Sequence, residues 1–207
     1  MTVPQGQLRT VAVVLAGGTG ARVGLDIPKQ LLKIAGKTII EHTLDAFESH
    51  PDVDEILVMM AAGHTAEVQR LVDRCGYRKV VQVLEGGAER IGSTAKAVEA
   101  LSERFGPGKD CNVLFHDAVR PLIEPRIISE CVAALRTYDA TDVAIPSADT
   151  VVMVDDASVI TGIPPRGRLR RGQTPQGFRL SVIRHAYELA HADPDFAASP
   201  PTDDCGV

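Results

Sequence analysis

The stretch Leu15-Ala16-Gly17-Gly18-Thr19-Gly20-Ala21-Arg22 is a glycine-rich loop ending in an arginine, and Lys29 follows seven residues on. These residue types in this order suit phosphate chemistry. Glycine has no Cβ, so its backbone N–H can come close to a bound phosphate oxygen. Arg22 and Lys29 can then neutralise the charge of a triphosphate. Two familiar glycine loops are excluded. The dinucleotide fingerprint G-x-G-x-x-G finds Gly18 and Gly20 but meets Val23 at its third glycine. The Walker loop G-x-x-x-x-G-K-[ST] is absent, because Gly36-Lys37-Thr38 has Leu31 five places before Gly36. Taken by itself, the loop also reads as an ordinary glycine-rich turn between a strand and a helix.

Other stretches carry reactive types: Glu85-Gly86-Gly87-Ala88-Glu89-Arg90-Ile91-Gly92-Ser93, His116-Asp117-Ala118-Val119-Arg120-Pro121 and Asp149-Thr150. Alternating apolar patterns would position them. Residues 11–15, 55–60, 80–84, 112–115 and 143–146 read as buried strands, and 38–49, 65–75, 91–105 and 125–138 as helices. Strands joined by such helices form right-handed βαβ units around a mainly parallel sheet. The fold class is α/β, Rossmann-like, with helices on both faces. Open parallel sheets bind ligands beyond the carboxyl ends of their strands, and each reactive stretch follows such an end.

After Pro146 the rhythm breaks. Residues 150–154 and 158–160 form a hairpin around Asp155-Asp156-Ala157. It has two readings, an arm for a partner subunit or a local antiparallel extension of the sheet. Residues 177–180 return to the sheet, and 181–192 form a last helix.

The chain has 207 residues, 44% of them hydrophobic and 24% charged, which suits one globular domain over 1–207 with the arm at about 148–166. A net charge of −5 without a basic block disfavours nucleic acid, although Arg166, Arg168, Arg170 and Arg171 cluster locally. Cys75, Cys111, Cys131 and Cys205 show no metal spacing and read as free thiols of a cytoplasmic protein. No apolar run approaches a membrane span.

Taken together, L-A-G-G-x-G-x-R…P-K-Q, G-G-x-x-R-x-x-S, H-D-x-x-R-P, D-T, T-P-Q-x-F and T-D resemble the cytidylyltransferases that act on polyol phosphates, over residues 10 to 207. The resemblance implies a nucleotidyltransferase-type fold, Mg²⁺, and transfer of CMP from CTP to a polyol phosphate by a homodimer joined through the hairpin. It implies Arg22 and Lys29 as catalytic cations. Leu15, Ala16, Gly17, Gly18, Thr19, Gly20, Gly86, Gly87 and Ser93 would bind CTP, the last two reading cytosine. Asp117 would lie near the metal and, with Arg120, near the acceptor. Thr150, Arg166 and Thr202 would hold the acceptor phosphate, the first two across a dimer. Family members usually continue past T-D to a strand with N-x-K-x-T, so the sequence to Val207 either omits that tail or lacks its contact.

Plainer readings stand beside these roles. Asp117 or Ser93 could cap a turn or helix, Arg120 could be a surface residue, Thr150 an ordinary strand residue, and His116 reads as structural. The acceptor leans to D-ribitol 5-phosphate, because Leu15–Gly18 and residues 159–166 and 172–176 look more like ribitol enzymes. The alternative is 2-C-methyl-D-erythritol 4-phosphate, in isoprenoid precursor synthesis. A CTP-binding module without turnover, or a dinucleotide oxidoreductase, are the rivals from other classes.

Overall fold

The computed structural model describes residues 8–18, 27–87, 89–194, 196 and 203–207. The chain enters through β1 (Thr10–Ala16), forms a small antiparallel pair from β2 (Lys33–Ile34) and β3 (Lys37–Thr38), and continues into α1 (Ile39–Glu48). Then follow β4 (Glu55–Met60), α2 (Thr65–Cys75), β5 (Val80–Glu85), α3 (Arg90–Phe105), β6 (Asn112–Asp117), α4 (Pro125–Ala134) and β7 (Ala140–Pro146). The hairpin strands β8 (Met153–Val154) and β9 (Ile160–Gly162) precede β10 (Arg170–Arg179) and α5 (Leu180–Ala192).

The main sheet has the order β5-β4-β1-β6-β10-β7. β1 pairs in parallel with β4 and β6, and β4 with β5. β10 runs antiparallel between β6 and β7, so the last sheet strand is inserted rather than added at the edge. Side chains alternate across a strand, and β1 therefore feeds two cores. Ala12, Val14 and Ala16 pack with α1, α2 and α4, whereas Val11, Val13 and Leu15 pack with α3 and α5. The α/β fold expected from the sequence is this three-layer arrangement.

Several boundaries differ from expectation: β7 begins at Ala140 rather than 143, and the hairpin strands are shorter or shifted. The fourth helix ends at Ala134 rather than 138, because the chain must turn to enter β7 at Ala140; Leu135 keeps its core position while Tyr138 is exposed. β10 starts at Arg170, well before residue 177, where its first three residues pair with β7; being exposed, they carry no apolar signal in the sequence. Its pairing with β7 is interrupted between Gly172 and Gln176, which frees Gln173 and Thr174 for another use.

The hairpin carries exposed apolar side chains on both strands, among them Met153, Val154 and Ile160. Its base is tied by Arg166, whose Nη1 donates to the Ala148 carbonyl at 3.2 Å. Among the described residues no helix is long and apolar enough to cross a membrane, and the four cysteines are free thiols.

Candidate active site

The carboxyl ends of β1 and β6, the start of α3 and the interrupted part of β10 surround one cleft of about 500 Å³, within the usual range for small-ligand pockets, about 300–1,000 Å³. Leu15, Ala16, Gly17, Gly18, Lys29, Ser93, Asp117 and Arg120 line it, so the structure brings these predicted residues together. Gly86 and Gly87 lie behind Ser93. Thr150 and Arg166 stand exposed at the hairpin base, away from this lining. Thr19, Gly20, Arg22 and Thr202 lie outside the described residues.

On the β1 side the chain is held by close approach. A Cβ at Gly17 would meet Ser93 Oγ at 3.0 Å, and one at Gly86 would meet it at 2.7 Å. Ser93 is buried in the first turn of α3, where its hydroxyl accepts from the Gly87 N–H at 3.0 Å and lies 3.1 Å from the Glu89 carbonyl. The serine does not cap the helix, whose N-cap residue Glu89 makes no side-chain cap hydrogen bond; its hydroxyl bonds back to the Glu89 carbonyl and fixes the Gly86-Gly87 turn. Lys29 opens a 3-10 turn (Lys29–Leu31), and its Cε lies 3.7 Å from where a Gly18 Cβ would be. Among the described residues its ammonium has neither an ion pair nor a hydrogen bond.

The next residue, Gln30, is 1% exposed. Its Nε2 donates to the carbonyl of Ala16 and to that of Gly18, the latter at 3.1 Å. The sequence displayed it only as a letter in P-K-Q. The side chain latches the glycine loop to the turn that carries Lys29. Gln30→Met, similar in size but without donors, should leave two backbone carbonyls without this partner. We expect a loss of about 1–3 kcal/mol in urea unfolding, with an unchanged m-value.

On the β6 side, Asp117 accepts from two guanidinium groups, Arg90 Nη1 at Oδ1 and Arg120 Nε at Oδ2, the second at 2.8 Å. Burial alone would raise this carboxyl, but Arg90 first, and then the bond from Arg120, hold it below its ordinary value. Arg120 also donates to Gln173 Oε1. His116 is 1% exposed, and burial lowers it to about 4, so it is neutral. Its Nε2 donates to the Arg120 carbonyl at 3.1 Å, and its Nδ1 then accepts from the Thr174 hydroxyl at 3.0 Å. With both nitrogens engaged, His116 serves the frame rather than acting as a base.

Arg90, Gln176 and Asp203 also line the cleft, though no role was assigned to them from sequence. Each had appeared as a motif letter, in G-G-x-x-R, T-P-Q and T-D. Among the described residues, no group of three His, Cys, Asp or Glu side chains could hold a metal ion. An ion at this site would need most of its ligands from a substrate, a pattern usual for Mg²⁺ on phosphates. Glu89, Asp117 and Asp203 are the carboxylates that line the cleft, and Asp117, whose two oxygens accept from Arg90 and Arg120, could contribute to such an ion only by giving up one of those bonds.

The family profile described as 2-C-methyl-D-erythritol 4-phosphate cytidylyltransferase matches residues 10–207. The 2-C-methyl-D-erythritol 4-phosphate cytidylyltransferase of Thermobifida fusca is 48% identical, over 96% of this chain and 79% of its own length. The bifunctional ribulose 5-phosphate reductase/CDP-ribitol pyrophosphorylase of Haemophilus influenzae is 42% identical over 87% of this chain, but only 38% of its own length is covered. Among solved structures, the 4-diphosphocytidyl-2C-methyl-D-erythritol synthase of Anaerococcus prevotii superposes with a TM-score of 0.80 at 27% identity, covering 96% of this chain and 80% of that one.

Proposed function

The chain belongs to the 2-C-methyl-D-erythritol 4-phosphate cytidylyltransferase family, a family of nucleotidyltransferases, and from this premise we propose that it transfers CMP from CTP to 2-C-methyl-D-erythritol 4-phosphate with release of pyrophosphate. The observation that carries the reading is the shared cleft, in which Ala16–Gly18, Lys29 and Ser93 face Asp117 and Arg120.

The lean towards D-ribitol 5-phosphate gives way. Relatives named for the methylerythritol substrate include the 48% identical one, against 42% for the ribitol enzyme. Of the three stretches behind the lean, residues 172–176 do line the cleft through Gly172, Gln173, Thr174 and Gln176, so they remain the part of the acceptor side that the substrate comparison must decide; the other two carry less. Leu15 belongs to the core beneath α3 and α5, and Gly17 acts by lacking a side chain, so this segment reports how the cradle packs. Residues 159–166 belong to the hairpin and its base and do not line this cleft.

In the reaction the acceptor phosphate is its own nucleophile. A phosphate monoester is largely dianionic at neutral pH, so the enzyme needs no strong base, which accords with a neutral, fully engaged His116. An acceptor oxygen attacks the α-phosphorus in line, and the bond to pyrophosphate breaks. The loop amides at Ala16–Gly18 cradle the triphosphate, while Ser93 and Gly87 hold the cytosine slot. Lys29 and Arg22 neutralise charge that grows on the α-phosphate and the leaving group. Arg120 and Asp117 orient the acceptor. Bound Mg²⁺ would supply charge neutralisation on the triphosphate oxygens, with Asp117 as the residue to hold it. Thr150 and Arg166, with Thr202, would take the acceptor phosphate of a partner's site in a homodimer built on the exposed hairpin. The free thiols suit a cytoplasmic enzyme.

A pyrophosphate-release assay tests this with CTP, UTP, ATP and GTP against both acceptors. The expected result is turnover with CTP, and a kcat/KM for 2-C-methyl-D-erythritol 4-phosphate about 10²-fold above that for D-ribitol 5-phosphate, the scale of about 2.7 kcal/mol. The reverse order reinstates ribitol. Tight CTP binding without release of pyrophosphate would make the chain a nucleotide-binding module.

A further inference from the structure

Resting on that reading of the acceptor side, we propose that Arg90 is a positioning residue that fixes Asp117, and through it Arg120, in the geometry that receives the acceptor. Arg90 opens α3, on the same turn as the nucleotide-side Ser93. Its planar fork makes four hydrogen bonds. Nε and Nη2 both reach Asp204 Oδ2, at 3.2 and 2.8 Å. Nη2 also donates to Gln176 Oε1 at 3.1 Å. Those bonds set the plane of the guanidinium, and Nη1 is then left to Asp117 Oδ1.

Asp204 is a firm anchor. Its side chain is fully buried, its Oδ1 accepts from the Tyr187 hydroxyl at 3.2 Å, and its backbone N–H donates to Gln176 Oε1 at 3.2 Å. Asp117, by contrast, keeps 24% of its side chain exposed within the cleft. With Oδ1 pinned by Arg90, its carboxylate can turn only Oδ2 towards Arg120. Arg120, whose side chain is 42% exposed, is thereby aimed from one side by Asp117 and from the other by Gln173. The pair that faces the acceptor is therefore oriented by a residue from the nucleotide-side helix.

A structural role alone, neutralising the buried Asp204, would require only a cation. Lysine supplies that charge but not the fork, which makes Arg90→Lys the discriminating change. The measurement is steady-state kinetics with CTP and whichever polyol phosphate the wild-type enzyme turns over, so failure of the acceptor reading is seen first and separately. Expected is a KM for the acceptor raised about tenfold by misplacement of the receiving groups, with KM for CTP within about twofold. In an Asp117→Asn background the same change should add less than about twofold, as expected for residues acting as one unit. An additive loss, or an equal rise in KM for CTP, overturns the proposal. If Arg90→Lys melts below the assay temperature, Asp117→Asn alone decides: its acceptor KM must rise while that for CTP holds, and an unchanged acceptor KM leaves Arg90 nothing to position and overturns the proposal.

Discussion

Lys29→Ala lowers kcat by about 10³-fold and raises KM for CTP by less than about tenfold, the range seen when a preorganised charge is removed from a developing anion. The expectation comes from placement. Lys29 follows Pro28, which has no N–H and a fixed φ, and precedes the buried Gln30, which is hydrogen-bonded to the loop carbonyls. The backbone on both sides of the lysine is thus constrained, while its ammonium has no partner among the described residues. A cation held next to Gly18 with nothing to neutralise is available for phosphate oxygens. Negative charge on the transferring group and on pyrophosphate increases as the reaction proceeds, so the interaction is stronger in the transition state than in the ground state. Such an interaction appears in kcat more than in KM. Lys29→Arg should recover part of the rate, since the charge persists but the fork is larger than an ammonium. Single-turnover measurement of CDP-product formation checks both, and a normal kcat for Lys29→Ala removes the lysine from the chemistry.

The layers of the fold were legible because each depends on local pattern. β4 and α2 have the bounds expected from apolar spacing, residues 55–60 and 65–75, since a buried strand and an amphipathic helix both display their burial in sequence. β10 escaped because antiparallel insertion is a tertiary fact. Its first three residues, Arg170 to Gly172, pair with β7 while exposed, and polar residues carry no strand signal. The site divides in the same way. Gly17, Gly18 and Lys29 are neighbours in sequence, so their chemistry can be read from spacing. Arg90, Asp117 and Asp204 lie 27 and 114 positions apart along the chain, and no spacing rule encodes a meeting that only the sheet order creates. Gln30 was missed for another reason. A glutamine beside a lysine looks solvated, and only its burial reveals the latch.

The turn proposed to hold the cytosine slot offers the second large effect, at Gly87→Ala. The added Cβ would lie 2.6 Å from Gly92 C, 2.8 Å from Gly92 Cα and 2.9 Å from Ser93 N. These are backbone atoms in the first turn of α3, so no flexible side chain can swing aside. At Gly17 and Gly86 the obstacle is instead the Ser93 hydroxyl, which can rotate. With alanine at 87, the turn must separate from α3, and the bond from the Gly87 N–H to Ser93 Oγ is lost. Overpacking of this kind costs about 1–3 kcal/mol, a decrease of a few degrees in Tm for a chain of this length, at about 2–4 °C per kcal/mol. Function should suffer more than folding if, as proposed, the displaced turn belongs to the cytosine slot. Expected is a kcat/KM for CTP reduced about 10²-fold, equivalent to about 2.7 kcal/mol, in a protein still folded at the assay temperature. The discrimination between CTP and ATP should narrow along with it. Equal losses for both nucleotides would mean that the turn supports the triphosphate cradle through Gly17 and takes no part in reading the base.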